Sequence, residues 1–80
     1  MTHYTTKGHA IAYTVAGQHG VTVQEMLSHR KDRQLCMARW EAMHRIRKET
    51  ALSLPQIAHI FRRHHTTIMH GIRRWEEISQ

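Results

Sequence analysis

Eighty residues carry 12 Lys+Arg against 6 Asp+Glu, a formal charge of +6 at pH 7, with nine further histidines and a pI near 10.5. So short a chain makes one small domain with a modest core, and its charge favours a polyanionic partner, either nucleic acid or an acidic membrane surface. The lone cysteine, Cys36, excludes an internal disulfide and suits a reducing compartment. No apolar run approaches the length of a membrane span, and the first residues lack the apolar segment of a secretory signal. A bacterial or phage-infected cytoplasm, at the nucleoid, is the expected location.

From the N-terminus, residues 1–8 are polar and expected to be loose, which leaves 9–80 as the folded domain. Ile11, Ala12, Val15 and Ala16 follow helical spacing, and Gly17 and Gly20 punctuate the end of that first helix. Thr22-Val23-Gln24-Glu25 has the form of a capping box opening a short second helix with Met26 and Leu27 on its apolar side. His29 to Arg33 follows as a basic connector. Leu35, Ala38, Ala42, Met43 and Ile46 share one face of a long third helix, with Arg39, Arg45, Arg47 and Lys48 largely off it. Ser53-Leu54-Pro55-Gln56 is a second capping box, with proline in the tolerated first turn. It opens a fourth helix whose stripe is Leu54, Ile57, Ala58 and Phe61. Ile68, Ile72, Trp75 and Ile78 form the stripe of a fifth. No stretch alternates as a strand would, so the pattern predicts an all-α domain of five helices.

The fourth helix ends near Phe61 and the fifth begins within a few residues. A connection that short is what a helix-turn-helix requires. In that motif the first helix lies over the DNA backbone and the second enters the major groove. The segment His64-His65-Thr66-Thr67 suits that entry. A threonine methyl can touch the thymine methyl, its hydroxyl can meet a base or a phosphate, and His65 can donate to a base acceptor. The same residue types also serve as ordinary helix caps. Free amides at a helix start offer a phosphate site, and Arg62 and Arg63 flank it.

His29-Arg30-Lys31-Asp32-Arg33 is a second basic site. A flexible basic loop can reach into the minor groove, where narrow A·T tracts concentrate negative potential. A plain solvated charge run is the alternative. Arg39, one or two turns into the third helix, is placed to meet a phosphate, or else is an ordinary surface arginine.

These residues carry a resemblance. From about Ile11 to Trp75 the chain resembles the C-terminal DNA-binding domain of the bacterial replication initiator DnaA. The matching segments are Val23-Gln24-Glu25-Met26-Leu27-Ser28, the basic loop from His29 to Arg33, the Ser53-Leu54-Pro55-Gln56-Ile57 entry and His65-Thr66-Thr67-Ile68-Met69-His70. The last is the most specific, since the family signature reads Asp-His-Thr-Thr, an apolar pair and His.

The resemblance implies an all-helical domain of the Trp-repressor-like class. It places the minor-groove base reader at Lys31, with Arg30 and Arg33 flanking it, and a phosphate contact at Arg39. It puts the base-reading pair at His65 and Thr66, with Thr67 beside it and His64 before it. Another phosphate contact falls on Arg62 or Arg63. Ser53 and the turn amides complete the expected phosphate-binding set.

Two departures stand out. The signature aspartate is His64 here; an aspartate accepts from a cytosine amino group, which a protonated histidine cannot do. The turn is one residue shorter than the commonest family form, with Arg62-Arg63 in place of its glycines. The sequence also holds no Gly-x-x-x-x-Gly-Lys-Ser/Thr phosphate loop. A free-standing, phage-type or regulator version of the domain is therefore expected.

Competing readings have less support. The histidines and Cys36 invite a hydrolase or a zinc site, but the His-Glu-x-x-His spacing is missing and no complete constellation exists. Cys36 is expected to be a small core residue. No enzyme activity, cofactor, metal or small-molecule substrate is expected. A protein-interaction module is the other competitor. Trp40, if exposed, would mark a docking face for RNA polymerase or replication proteins. Membrane binding is weakest, because the cations are spread over several elements rather than one amphipathic face. The reading is sequence-specific double-stranded DNA binding, as a transcriptional regulator or, alternatively, at a replication origin by binding or interference.

Overall fold

Helical periodicity and local caps divide the chain into α1 (His3–Gln18), α2 (Val23–Leu27), α3 (Arg33–Glu49), α4 (Leu54–Phe61) and α5 (His65–Ile78). The computed structural model describes residues 3–79, and among them there is no strand. Each expected helix is present.

The caps form as the local sequence dictates. The Glu25 amide donates to Thr22 Oγ1 at 3.0 Å, and the Thr22 amide donates to Glu25 Oε1 at 2.9 Å. At α4 the Gln56 amide donates to Ser53 Oγ at 3.3 Å, and the Ser53 amide to Gln56 Oε1 at 2.8 Å. Each box pairs two amides that a helix start would otherwise leave open.

The core gathers Ala12, Val15 and Ala16 of α1, Met26 of α2, Ala38, Ala42, Met43 and Ile46 of α3, Leu52, most of α4 and Ile68 of α5. α3 is the central element and packs against every other helix. α4 is buried beyond its expected stripe: Ile60 joins Ile57, Ala58 and Phe61, because α1, α3 and α5 all close on it. The α5 stripe fades towards its end, where Ile78 is exposed.

One boundary differs from expectation. Residues 3–8, expected to be loose, form the start of α1; Met1 and Thr2 lie outside the described residues. Gly8 is buried, and a Cβ there would collide with Ile60 Cδ1 and meet Leu52 Cδ1 at 3.3 Å. The polar run hid a backbone-to-core contact that glycine alone permits.

α5 is fastened to α3 by the same device and by polar contacts. A Cβ on Gly71 would stand 2.5 Å from Met43 Sδ and 3.0 Å from Trp40 Cδ1. The Arg74 guanidinium lies over the Trp40 ring, 5.2 Å from its centroid. On α3, Glu41 binds His19 Nε2 at 2.6 Å, and the His19 ring meets Trp75 edge-on. Trp40 is thus partly buried among its neighbours rather than an open docking face.

Candidate nucleic-acid interface

The turn from α4 to α5 comprises Arg62, Arg63 and His64. Arg62 takes φ 56° and ψ 42°, the left-handed region. Its amide donates to His59 O at 3.3 Å and that of Arg63 to Ala58 O at 3.0 Å. This is the Schellman closure. The same closure ends α1, where Gly20 sits at φ +71° and Val21 donates to Ala16 O at 3.0 Å. Glycine takes that conformation without steric penalty, whereas arginine meets its own Cβ there, at a cost of about 1 kcal/mol.

His64 caps α5. Its Nδ1 accepts from the Thr66 amide at 3.3 Å and lies 2.9 Å from Thr66 Oγ1. The His64 and His65 rings are tilted against each other with centroids 4.4 Å apart. His64, His65, Thr66 and Thr67 are all exposed, while Ile68 immediately after them is fully buried. The core therefore fixes the helix start and leaves the polar residues facing outward.

The basic connector stands opposite. It is held in place rather than flexible. The Ser28 hydroxyl donates to Glu25 O at 2.6 Å, and the Arg30 amide reaches Ser28 Oγ at 3.3 Å. The Arg30 guanidinium pairs with Glu25 Oε2 at 3.3 Å and with Asp32. Exposed pairs of this kind are weak, about 0–1 kcal/mol, so a phosphate can displace the carboxylates. The exposed side chains of Lys31, Arg33 and Arg62 make no ion pair among the described residues.

Two of the arginines expected at phosphates make internal hydrogen bonds. Arg39 is 7 % exposed. Its Nε donates to Met26 O at 2.6 Å, and its Nη2 to Ser28 O at 2.8 Å and Glu25 O at 3.2 Å. It closes the C-terminal end of α2 from inside the protein, so the side chain expected on the surface is buried. Burial, and then the neighbouring Arg63 charge, hold its pKa below the ordinary arginine value. Arg63 is half-buried and donates through Nη2 to Ser28 O at 2.6 Å and through Nη1 to Phe61 O at 3.2 Å. It ties the turn to the connector.

Between the connector and α5 runs a groove of about 650 Å³. Its lining includes His29, Arg30 and Lys31 on one wall and Thr67 and His70 on the other, with Arg39 and Arg63 among its remaining residues. His29, within the basic site, and His70, within the most specific matching segment, were given no DNA contact of their own; His70 lies three residues after Thr67 and so shares its helix face. Cys36, expected in the core, is partly exposed and also lines this groove. Arg33, Arg62, His64, His65 and Thr66 lie outside the groove lining, and so does Ser53, whose hydroxyl serves the α4 capping box.

Among the described residues no group of three or more His, Cys, Asp or Glu is arranged to hold a metal ion. None of their helices is long and apolar enough to cross a membrane.

Known proteins share this pattern. The family model described as "Bacterial dnaA protein helix-turn-helix" matches residues 9–74. The chromosomal replication initiator protein DnaA of Aquifex aeolicus is 41% identical over 64 residues, covering 79% of this chain and 16% of that protein. The DnaA of Roseobacter denitrificans is 35% identical over 66 residues, 81% of this chain and 14% of its own length. That of Oenococcus oeni is 35% identical over 71 residues, 88% of this chain and 16% of its own. The chain thus spans about one-sixth or less of the length of these relatives. No solved structure matches it significantly.

Proposed function

Because this chain belongs to the bacterial DnaA helix-turn-helix family, a DNA-binding domain, we propose that it recognises double-stranded DNA by sequence. The start of α5 enters the major groove, where His65, Thr66 and Thr67 read base edges. Lys31 reaches the minor groove from the connector. Arg30, Arg33, Arg62 and the open amides at the start of α5 hold phosphates.

One observation carries this reading. Thr67 and His70 of α5 and His29, Arg30 and Lys31 of the cationic connector line a single groove, with His65 and Thr66 exposed just outside it. Positive charge at the rim positions a duplex, and small polar side chains at a helix tip discriminate bases.

Binding titrations test it. Thr66→Ala or His65→Ala should cost roughly 1–3 kcal/mol on the preferred site and little on random DNA. Lys31→Ala should weaken binding and flatten the salt dependence by about one unit. If Thr66→Ala leaves site preference intact, the base-reading assignment is wrong.

The relatives' names support origin-type sites as targets. His64, standing where the family signature has aspartate, supports sites other than the initiator's own box, and hence regulation of transcription or interference at an origin. Genome-wide occupancy separates these tasks: peaks at origins favour the first, peaks at promoters the second.

A further inference from the structure

Resting on the reading that α5 enters the major groove, we propose that His64 is a specificity-determining residue that favours guanine over cytosine through a ring N–H donor.

The cap decides where the ring hydrogen sits. A backbone amide can only donate, and the Thr66 amide donates to His64 Nδ1 at 3.3 Å. Nδ1 therefore carries a lone pair, and the hydrogen of the neutral ring is on Nε2. The Thr66 hydroxyl follows. Its oxygen lies 2.9 Å from the same Nδ1, a contact favourable only if the hydroxyl hydrogen points at the nitrogen. One tautomer thus sets two outward faces. His64 offers a donor at Nε2, which has no partner among the described residues, and Thr66 offers only oxygen lone pairs.

Base edges sort against that pattern. Guanine presents two acceptors, O6 and N7, in the major groove, whereas cytosine presents an amino donor. A fixed Nε2–H meets guanine with a hydrogen bond and cytosine with two opposed donors. An aspartate at the same position would cap the helix equally well, but would offer an acceptor and reverse the choice. The exchange of aspartate for histidine is then a change of hydrogen-bond polarity at one base pair, with the helix start left in place.

Selection from a randomised duplex library tests this with the full chain as wild type, His64→Asn, His64→Asp and Thr66→Val. Asparagine and aspartate are both good helix caps, and circular dichroism checks that each variant keeps its helices. Asparagine caps through its oxygen and keeps an outward donor; aspartate keeps none. One position should favour guanine over cytosine about tenfold in wild type and in His64→Asn, and should favour cytosine in His64→Asp. Preservation by His64→Asp of the wild-type preference for guanine over cytosine, or its replacement by a preference for thymine, which offers no donor, overturns the proposal. The groove-reading premise is tested separately by Thr66→Val. If Thr66→Val alters preference while His64→Asp does not, α5 reads bases and His64 does not select. If neither alters it, both ideas fall.

Discussion

Arg39 and Arg63 donate to one carbonyl oxygen, that of Ser28, at 2.8 and 2.6 Å. One guanidinium comes from the middle of α3 and the other from the α4–α5 turn. Their shared acceptor is the last residue before the basic connector. The basic connector is thereby tied to α3 and to the α4–α5 turn, through two side chains turned inward.

This arrangement predicts that Arg39 acts on stability rather than on DNA charge. Arg39→Ala removes the donor to Met26 O and one of the donors to Glu25 O and to Ser28 O, and should cost about 2–4 kcal/mol in urea denaturation. Arg39→Lys should recover little of it, since an ammonium cannot span the fork of acceptors. The salt dependence of DNA binding should keep its slope. A slope flattened by about one unit would mark Arg39 as a phosphate ligand instead.

The left-handed Arg62 predicts a trade between stability and affinity. Arg62→Gly relieves the Cβ clash and should raise stability by about 1 kcal/mol. It also removes an exposed cation beside the α5 start, so affinity for random duplex should fall and the salt slope flatten by about one. Thermal melts and titrations read the two effects independently.

Gly71 predicts the opposite of helix propensity. In an isolated helix, alanine in place of glycine gains about 1 kcal/mol. Here the added methyl would press on Met43 Sδ and Trp40 Cδ1, and overpacking of this kind costs about 1–3 kcal/mol. Gly71→Ala should therefore lower the melting temperature. An unchanged or higher value would mean that α3 and α5 separate more readily than their packing implies.

The α2 cap predicts an acid response. Chiefly the Thr22 backbone amide, then the Thr22 hydroxyl and Arg30, hold the Glu25 carboxyl below its ordinary pKa, against an opposing effect of partial burial. A depressed folded pKa means that the stabilisation is fully present above the unfolded value, about 4.3, and is lost as pH falls through the lower folded one. Amide NMR of Thr22 and Glu25 should show α2 intact near neutrality and loosening only once the pH has fallen below the unfolded carboxylate value. Glu25→Gln should remove that acid dependence.

The legible parts of this protein were those set by near neighbours. Thr22 with Glu25 and Ser53 with Gln56 cap their helices across three residues, and the apolar stripes of α3 and α4 repeat within a turn or two, so a reader of the chain finds them by spacing. The exposed run from His64 to Thr67 was visible for the same reason. Burial of Arg39, by contrast, depends on carbonyls from Glu25 to Ser28, and the helical start of α1 depends on room left beside Ile60 at Gly8. A polar or small residue looks alike in sequence whether it faces water or another helix. Only the packing of distant segments, which concentrates acceptors at one point and removes solvent from another, turned one arginine into an internal brace and left others, such as Arg33 and Arg62, exposed.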